Sequence, residues 1–230
     1  MGLPPAVSPA PHPAPSSPRL RIGVSGHRVP PKLPEESEAP LRAHIDRILA
    51  AIAATARKAN AASALVIVSS LAEGSDRIVA AAGLAAGFAL QVVLPFNRAE
   101  YARDFETQAS RREFEQLLDR ARDVFELDGA ADERPRAYEA AGLFMLANID
   151  VLIAIWDGEV AAGVGGTAQI VERAIADGIA VVWIEPTHPN AIQISWPGAG
   201  TRAGLKSTFR PADVLTVART VEDILTSPTQ

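Results

Sequence analysis

The stretch Val151-Leu-Ile-Ala-Ile-Trp156, the glycine-bearing loop Asp157-Gly-Glu-Val-Ala-Ala-Gly-Val-Gly-Gly-Thr167, the helix-period segment Thr167–Asp177 and the run Ile179-Ala-Val-Val-Trp-Ile184 decide the fold. Both apolar runs carry hydrophobic side chains at successive positions instead of alternate ones. That pattern suits a strand buried on both faces, at the centre of a parallel sheet covered by helices. Gly178 closes the intervening helix, as glycine does just beyond a helical C-terminus. Strand, loop, helix and strand in this order form a crossover unit that lays the two strands parallel.

The same alternation extends towards the N-terminus. Arg19–Ser25 reads as a strand, and Glu38–Asn60 as a helix with Leu41, Ile45, Ile48, Leu49 and Ile52 on one face. Leu65–Ser69 and Ala89–Leu94 are further strands. The helix between them opens with Ser75 as its cap and Asp76 in its first turn, and frays at Gly83 and Gly87. A charged stretch to Ala121 holds a helix with Phe114, Leu117 and Leu118 inward, Asp123–Leu127 is a fourth strand, and Arg136–Asn148 is a helix. Beyond Pro186 periodicity is lost until Pro211–Leu225, where Pro211 and Asp213 open a last helix expected to pack across a sheet edge. The expected fold class is α/β: a Rossmann-like three-layer sandwich with a mostly parallel central sheet.

Composition narrows the function. The 230 residues carry 27 acidic and 22 basic side chains, a net charge of -5, so no overall positive field attracts phosphate polymers, and nucleic acid is not an expected partner. Absence of cysteine excludes disulfides, thiolate nucleophiles and cysteine-bearing metal sites, and the four histidines show no His-x-x-x-His pair, so neither metal nor cofactor is expected. Residues 1–18 hold seven prolines without a basic or apolar leader pattern and read as a disordered tail. No uncharged run is long enough to span a bilayer. The expectations are a cytoplasmic protein without a membrane partner, a core domain over 19–186, and a C-terminal extension over 187–230 whose helix packs on that domain. Alanine-rich helices suit packing between subunits, so a homo-oligomer is also expected.

Ligands of open parallel sheets bind beyond the carboxyl ends of the strands, and three segments stand there. In the first, Gly23 and Gly26 permit close backbone approach around Ser25 and His27, while Arg28 offers a fork-shaped cation to phosphate. Two glycines also simply fit a tight turn, and His27 has structural as well as ligand-binding uses. In the second, Ser69 and the turn Glu73-Gly74-Ser75-Asp76 lead into a helix whose free amides suit an anion. Glu73 is either a sugar-hydroxyl contact or a solvated carboxylate, and Asp76 either a ligand contact or a complement to the helix start. In the third, Gly163, Gly165, Gly166 and Thr167 form a loop fit to wrap oxygen atoms, with no lysine after the glycines to support nucleoside triphosphate hydrolysis. Asp157 contacts ribose, acts as a base, or closes an Asp-Gly turn. Leu94-Pro-Phe96 with Tyr101 and Phe105 supplies either an aromatic wall or core.

Ile22-Gly-Val-Ser-Gly-His-Arg28, Ser69-Ser-Leu-Ala-Glu-Gly-Ser-Asp76, Leu94-Pro-Phe96 and Gly165-Gly-Thr167 together resemble the SLOG superfamily of Rossmann-like nucleotide binders. That superfamily takes in the LOG phosphoribohydrolases and the DNA-processing protein A. The resemblance covers about Arg19 to Glu185. It implies a nucleotide or nucleotide-derived small molecule as ligand, held by the Gly165-Gly166-Thr167 loop in a bacterial sensor or binding module. The alternative it implies is a hydrolase that cleaves the N-glycosidic bond of a nucleoside 5'-monophosphate, with Glu73 and Asp157 as catalytic candidates. The hydrolase motif Pro-Gly-Gly-x-Gly-Thr-x-x-Glu is not matched: Ile170 stands at its glutamate position, and Glu172 lies about 200° around the helix from there. The DNA-processing branch does not bring its ligand with it, since no basic groove with interleaved aromatics is visible.

Overall fold

The computed structural model describes residues 20–28, 35–59, 65–159, 165–196 and 205–226. The expected tail over 1–18 and Gly163 lie outside the described residues.

Eight strands form one sheet in the order β4-β3-β2-β1-β5-β6-β7-β8. The strands are β1 (Leu20–Gly26), β2 (Leu65–Ser69), β3 (Ala89–Leu94), β4 (Asp123–Glu126), β5 (Val151–Ile155), β6 (Ala180–Ile184), β7 (Ile192–Ser195) and β8 (Arg210–Ala212). Every neighbouring pair from β4 to β6 is parallel, whereas β7 and β8 are antiparallel additions. The helices are α1 (Glu35–Lys58), α2 (Ser75–Ala85), α3 (Arg98–Tyr101), α4 (Gln108–Leu118), α5 (Arg134–Leu146), α6 (Thr167–Ala176) and α7 (Val214–Thr226).

Burial on both faces explains the apolar runs. Val151, Ile153 and Ile155 of β5 join the core under α1, α2 and α7. The alternate residues Leu152 and Ala154, with Trp156 beyond the strand, join a second core under α5 and α6. Because side chains alternate across a strand, a run apolar at every position is what a three-layer sandwich requires. On α1, Leu41, Ile45, Ile48 and Leu49 are fully buried, as the helical periodicity demands.

Three local expectations are corrected. Ser75 is the first helical residue of α2 and not its cap; Gly74, at φ 84°, occupies the cap position without a side-chain hydrogen bond. Pro211 does not open α7. It sits in the edge strand β8 opposite Gln193, where a missing amide costs little, and Asp213 caps α7 by accepting from the Thr216 amide at 2.7 Å. Finally, α7 packs beside α1 on one face of the sheet, burying Val217 and Val221, instead of crossing an edge. Among the described residues no helix is long and apolar enough to cross a membrane.

Candidate functional site

Strand order reverses direction at β1: the chain moves outward through β2, β3 and β4, then returns to place β5 on the other side of β1. The connections therefore diverge beyond the β1 and β5 ends, leaving a crevice there. A cavity of about 420 Å³ occupies this position.

Ser25, Gly26, His27 and Arg28 enter the cavity wall from the end of β1, and Gly165, Gly166 and Thr167 from the start of α6. Asp76 enters it from α2. The remaining sequence candidates lie elsewhere. Gly23 is within β1, where a Cβ would come within 2.5 Å of Ile149 Cδ1 in the α5–β5 connection, so this glycine serves packing against that connection. Ser69 is fully buried and donates to Asp76 Oδ2 at 3.2 Å. Glu73 and Gly74 line a separate groove, and Glu73 accepts a hydrogen bond from Ser110 of α4. Asp157 closes a turn, its Oδ1 accepting from the Glu159 amide at 3.0 Å. Neither Glu73 nor Asp157 lines the cavity itself, but Asp157 Oδ1 lies 3.0 Å from Nε2 of the lining residue His27.

The glycines have distinct physical duties. A Cβ on Gly26 would meet Ser75 Cβ at 2.5 Å and the Ile155 carbonyl oxygen at 2.9 Å, so the end of β1 passes α2 at a distance only glycine permits. Gly165 has φ 81°, and a Cβ there would lie 2.7 Å from the Pro135 carbonyl oxygen. Its amide donates to Gln169 Oε1 at 2.7 Å, so this amide does not serve an anion. Gly166 caps α6 without a side-chain partner. The first amides of any helix have no intrahelical acceptor, so the α6 N-terminus offers the cavity donors and the positive end of a dipole.

His27 ties the two central strands together. Its amide donates to Ile155 O at 3.0 Å, and the Asp157 amide donates to His27 Nε2 at 3.0 Å. Arg28 is the exposed cation of the site, 3.7 Å from Asp104 and 5.6 Å from the Tyr138 ring centroid. Sequence reasoning missed the rim around it. Tyr138 donates to Asp104 Oδ2 at 2.7 Å, and Arg134 reaches Asp104, Glu100 and the Tyr138 hydroxyl. Nothing in the sequence pairs Tyr138 with Asp104, 34 residues earlier.

Asp76 is 5% exposed, and burial raises its carboxyl pKa to about 6 against opposition from Ser69, the Ala72 and Ser70 amides and Arg28. Tyr101, which also lines the cavity, is pushed up by burial. Phe96 and Phe105 are buried core, whereas Tyr101, Tyr138 and Trp156 supply the aromatic part of the cavity wall. Among the described residues no three His, Asp or Glu side chains group as a metal site requires.

No family model matches the sequence, and no curated protein matches it. Among solved structures the chain is similar to DNA processing protein A from Streptococcus pneumoniae, at 17% identity and a TM-score of 0.48 over 72% of this chain and 50% of that one. It is similar too to DNA processing protein A from Helicobacter pylori, whose structure is described for a unique single-stranded DNA binding mode, at 18% identity and a TM-score of 0.49 over 74% of this chain and 70% of that one. The chain thus spans half the length of the Streptococcus protein. The likeness is one of fold. Two expectations are corrected by this finding. A free nucleotide or nucleotide-derived small molecule as ligand, and the absence of a nucleic-acid partner, do not stand against DNA processing proteins of which one is described with single-stranded DNA.

Proposed function

We propose that the cavity beyond β1 and β5 receives one nucleotide unit of a single-stranded nucleic acid, with a backbone phosphate at the α6 N-terminus and Arg28. The observation that carries this reading is the meeting of α6 amides, Arg28 and Tyr138 in one cavity of about 420 Å³. Helix N-termini and guanidinium forks both favour phosphate oxygens. Tyr138 and the Arg28 guanidinium are planar groups of the kind on which unstacked bases rest. The volume falls within the range of about 300–1,000 Å³ typical of small-ligand pockets, which suits a single splayed nucleotide and excludes a duplex.

The charge balance sets the strength of the interaction. A net charge of -5 gives the protein no overall positive field for flanking phosphates, and Arg134 is already committed to Glu100 and Asp104. Binding is therefore short in footprint and only weakly dependent on salt. A cytoplasmic location belongs to the same proposal.

Fluorescence anisotropy with labelled oligodeoxynucleotides tests this. Single strands should bind and duplexes of the same sequence should not. The slope of log affinity against log salt should be about -0.7 for each phosphate contacted, hence about -1 for one or two contacts. Equal binding of duplex, or no binding of single strands at millimolar protein, overturns the reading.

A further inference from the structure

Asp76 is a carboxyl group in the wall of a cavity in which Arg28 and the α6 N-terminus favour an anion. It projects from the second residue of α2 and accepts a hydrogen bond from Ser69 Oγ at the end of β2, with the Ser70 and Ala72 amides of the β2–α2 connection also favouring its charge. The Ser69 hydrogen bond holds the carboxyl against turning away. From the other elements around the cavity it faces Arg28 and His27 at the end of β1, Tyr101 of α3, Tyr138 of α5, Glu159 after β5 and the α6 N-terminus, with Asp104 at the rim beside Arg28. The next residue, Arg77, points the other way, towards Leu71 O, Ser110 and Glu113. It therefore does not neutralise Asp76 from inside the cavity.

An ionised carboxylate and a phosphate in the same small cavity repel, whereas a protonated carboxyl donates a hydrogen bond to a phosphate oxygen. We propose that Asp76 is a ligand-contacting residue that binds in its protonated form, so that filling the cavity is coupled to uptake of one proton. The inference rests on the anion-binding reading of the cavity above and adds its regulation by pH.

The direction follows from charge. In the empty cavity Arg28 favours the ionised form of Asp76, while burial favours the neutral one. A bound phosphate engages Arg28 and adds its own negative charge, and both changes favour the neutral form further. Burial pushes the Asp76 carboxyl up to about 6. Affinity should therefore be flat below this pH and fall by up to tenfold per unit above it, until the pKa of the occupied state is passed.

Calorimetric titration of the full chain with a short oligothymidylate, at pH 6.5 to 7.5 in buffers of different ionisation enthalpy, counts protons taken up on binding. Uptake of a substantial fraction of one proton, reduced to near zero in Asp76→Asn, is the expected result. Binding of the wild type without proton uptake overturns this inference and leaves the single-strand reading intact. No binding at any pH from 5.5 to 8 overturns both. The wild-type measurement decides by itself should Asp76→Asn fail to fold.

Discussion

Ser75 Oγ donates to the main-chain carbonyl of His27 at 2.8 Å, and the Ser75 amide reaches the same oxygen at 3.2 Å. One carbonyl at the end of β1 thus receives both polar groups of the first residue of α2. The two elements that carry Arg28 and Asp76 into the cavity are locked together by this contact, and the lock needs Gly26, against which Ser75 Cβ packs.

Gly26→Ala should strain this junction. The new methyl meets Ser75 Cβ at 2.5 Å and a main-chain oxygen at 2.9 Å, neither of which is the flexible end of a side chain. Overpacking of this kind costs about 1–3 kcal/mol. Ser75→Ala keeps the Cβ and loses one buried hydrogen bond, about 1 kcal/mol. Urea unfolding of both variants should place Gly26→Ala as the less stable; the reverse order would show that α2 shifts freely.

Gly165→Ala should be destabilised for two reasons at once, a left-handed backbone at φ 81° and a Cβ 2.7 Å from Pro135 O. Each contributes about 1–2 kcal/mol. Because Gly165 leads into the α6 N-terminus, oligonucleotide affinity should fall as well. Thermal melts and anisotropy on the same preparation check this, and a variant with wild-type melting would contradict it.

Arg28→Ala should separate binding from stability. Its side chain is 42% exposed, and its ion pair with Asp104 at 3.7 Å is long, so unfolding free energy should change by no more than about 0.5 kcal/mol. Loss of a charge-assisted contact to phosphate should weaken single-strand binding by about tenfold or more. Arg28→Lys should recover part of this, since lysine supplies charge without the planar fork.

Stability should depend on pH through Asp76. Its folded pKa, about 6, lies above the ordinary 3.8, so the folded state holds the proton more tightly. Its favourable contribution is complete below pH 3.8 and is lost as pH rises through 6. The difference corresponds to about 3 kcal/mol. Urea midpoints of wild type and Asp76→Asn from pH 4 to 8 should diverge in favour of the asparagine variant as pH rises, with the change centred between 4 and 6. Parallel curves would place the titration elsewhere.

What the sequence determined by itself is whatever local pattern encodes. Val151–Ile155 and Ala180–Ile184 announce central strands because burial on both faces leaves no polar position, and the α1 stripe announces its inward side because helical periodicity is a property of neighbours in the chain. The glycines at 26, 165 and 166 were legible as a cavity wall for the same reason, since they follow strands or precede a helix. Tertiary structure alone decided the rest. β7 and β8 are too short to show a period, and Pro211 reads as a helix start until Gln193 is seen opposite it. Glu73 and Asp76 sit three positions apart in one turn, yet one meets Ser110 on α4 and the other enters the cavity. Side-chain direction at a helix start depends on what packs against it, and those partners lie tens of residues away in the chain.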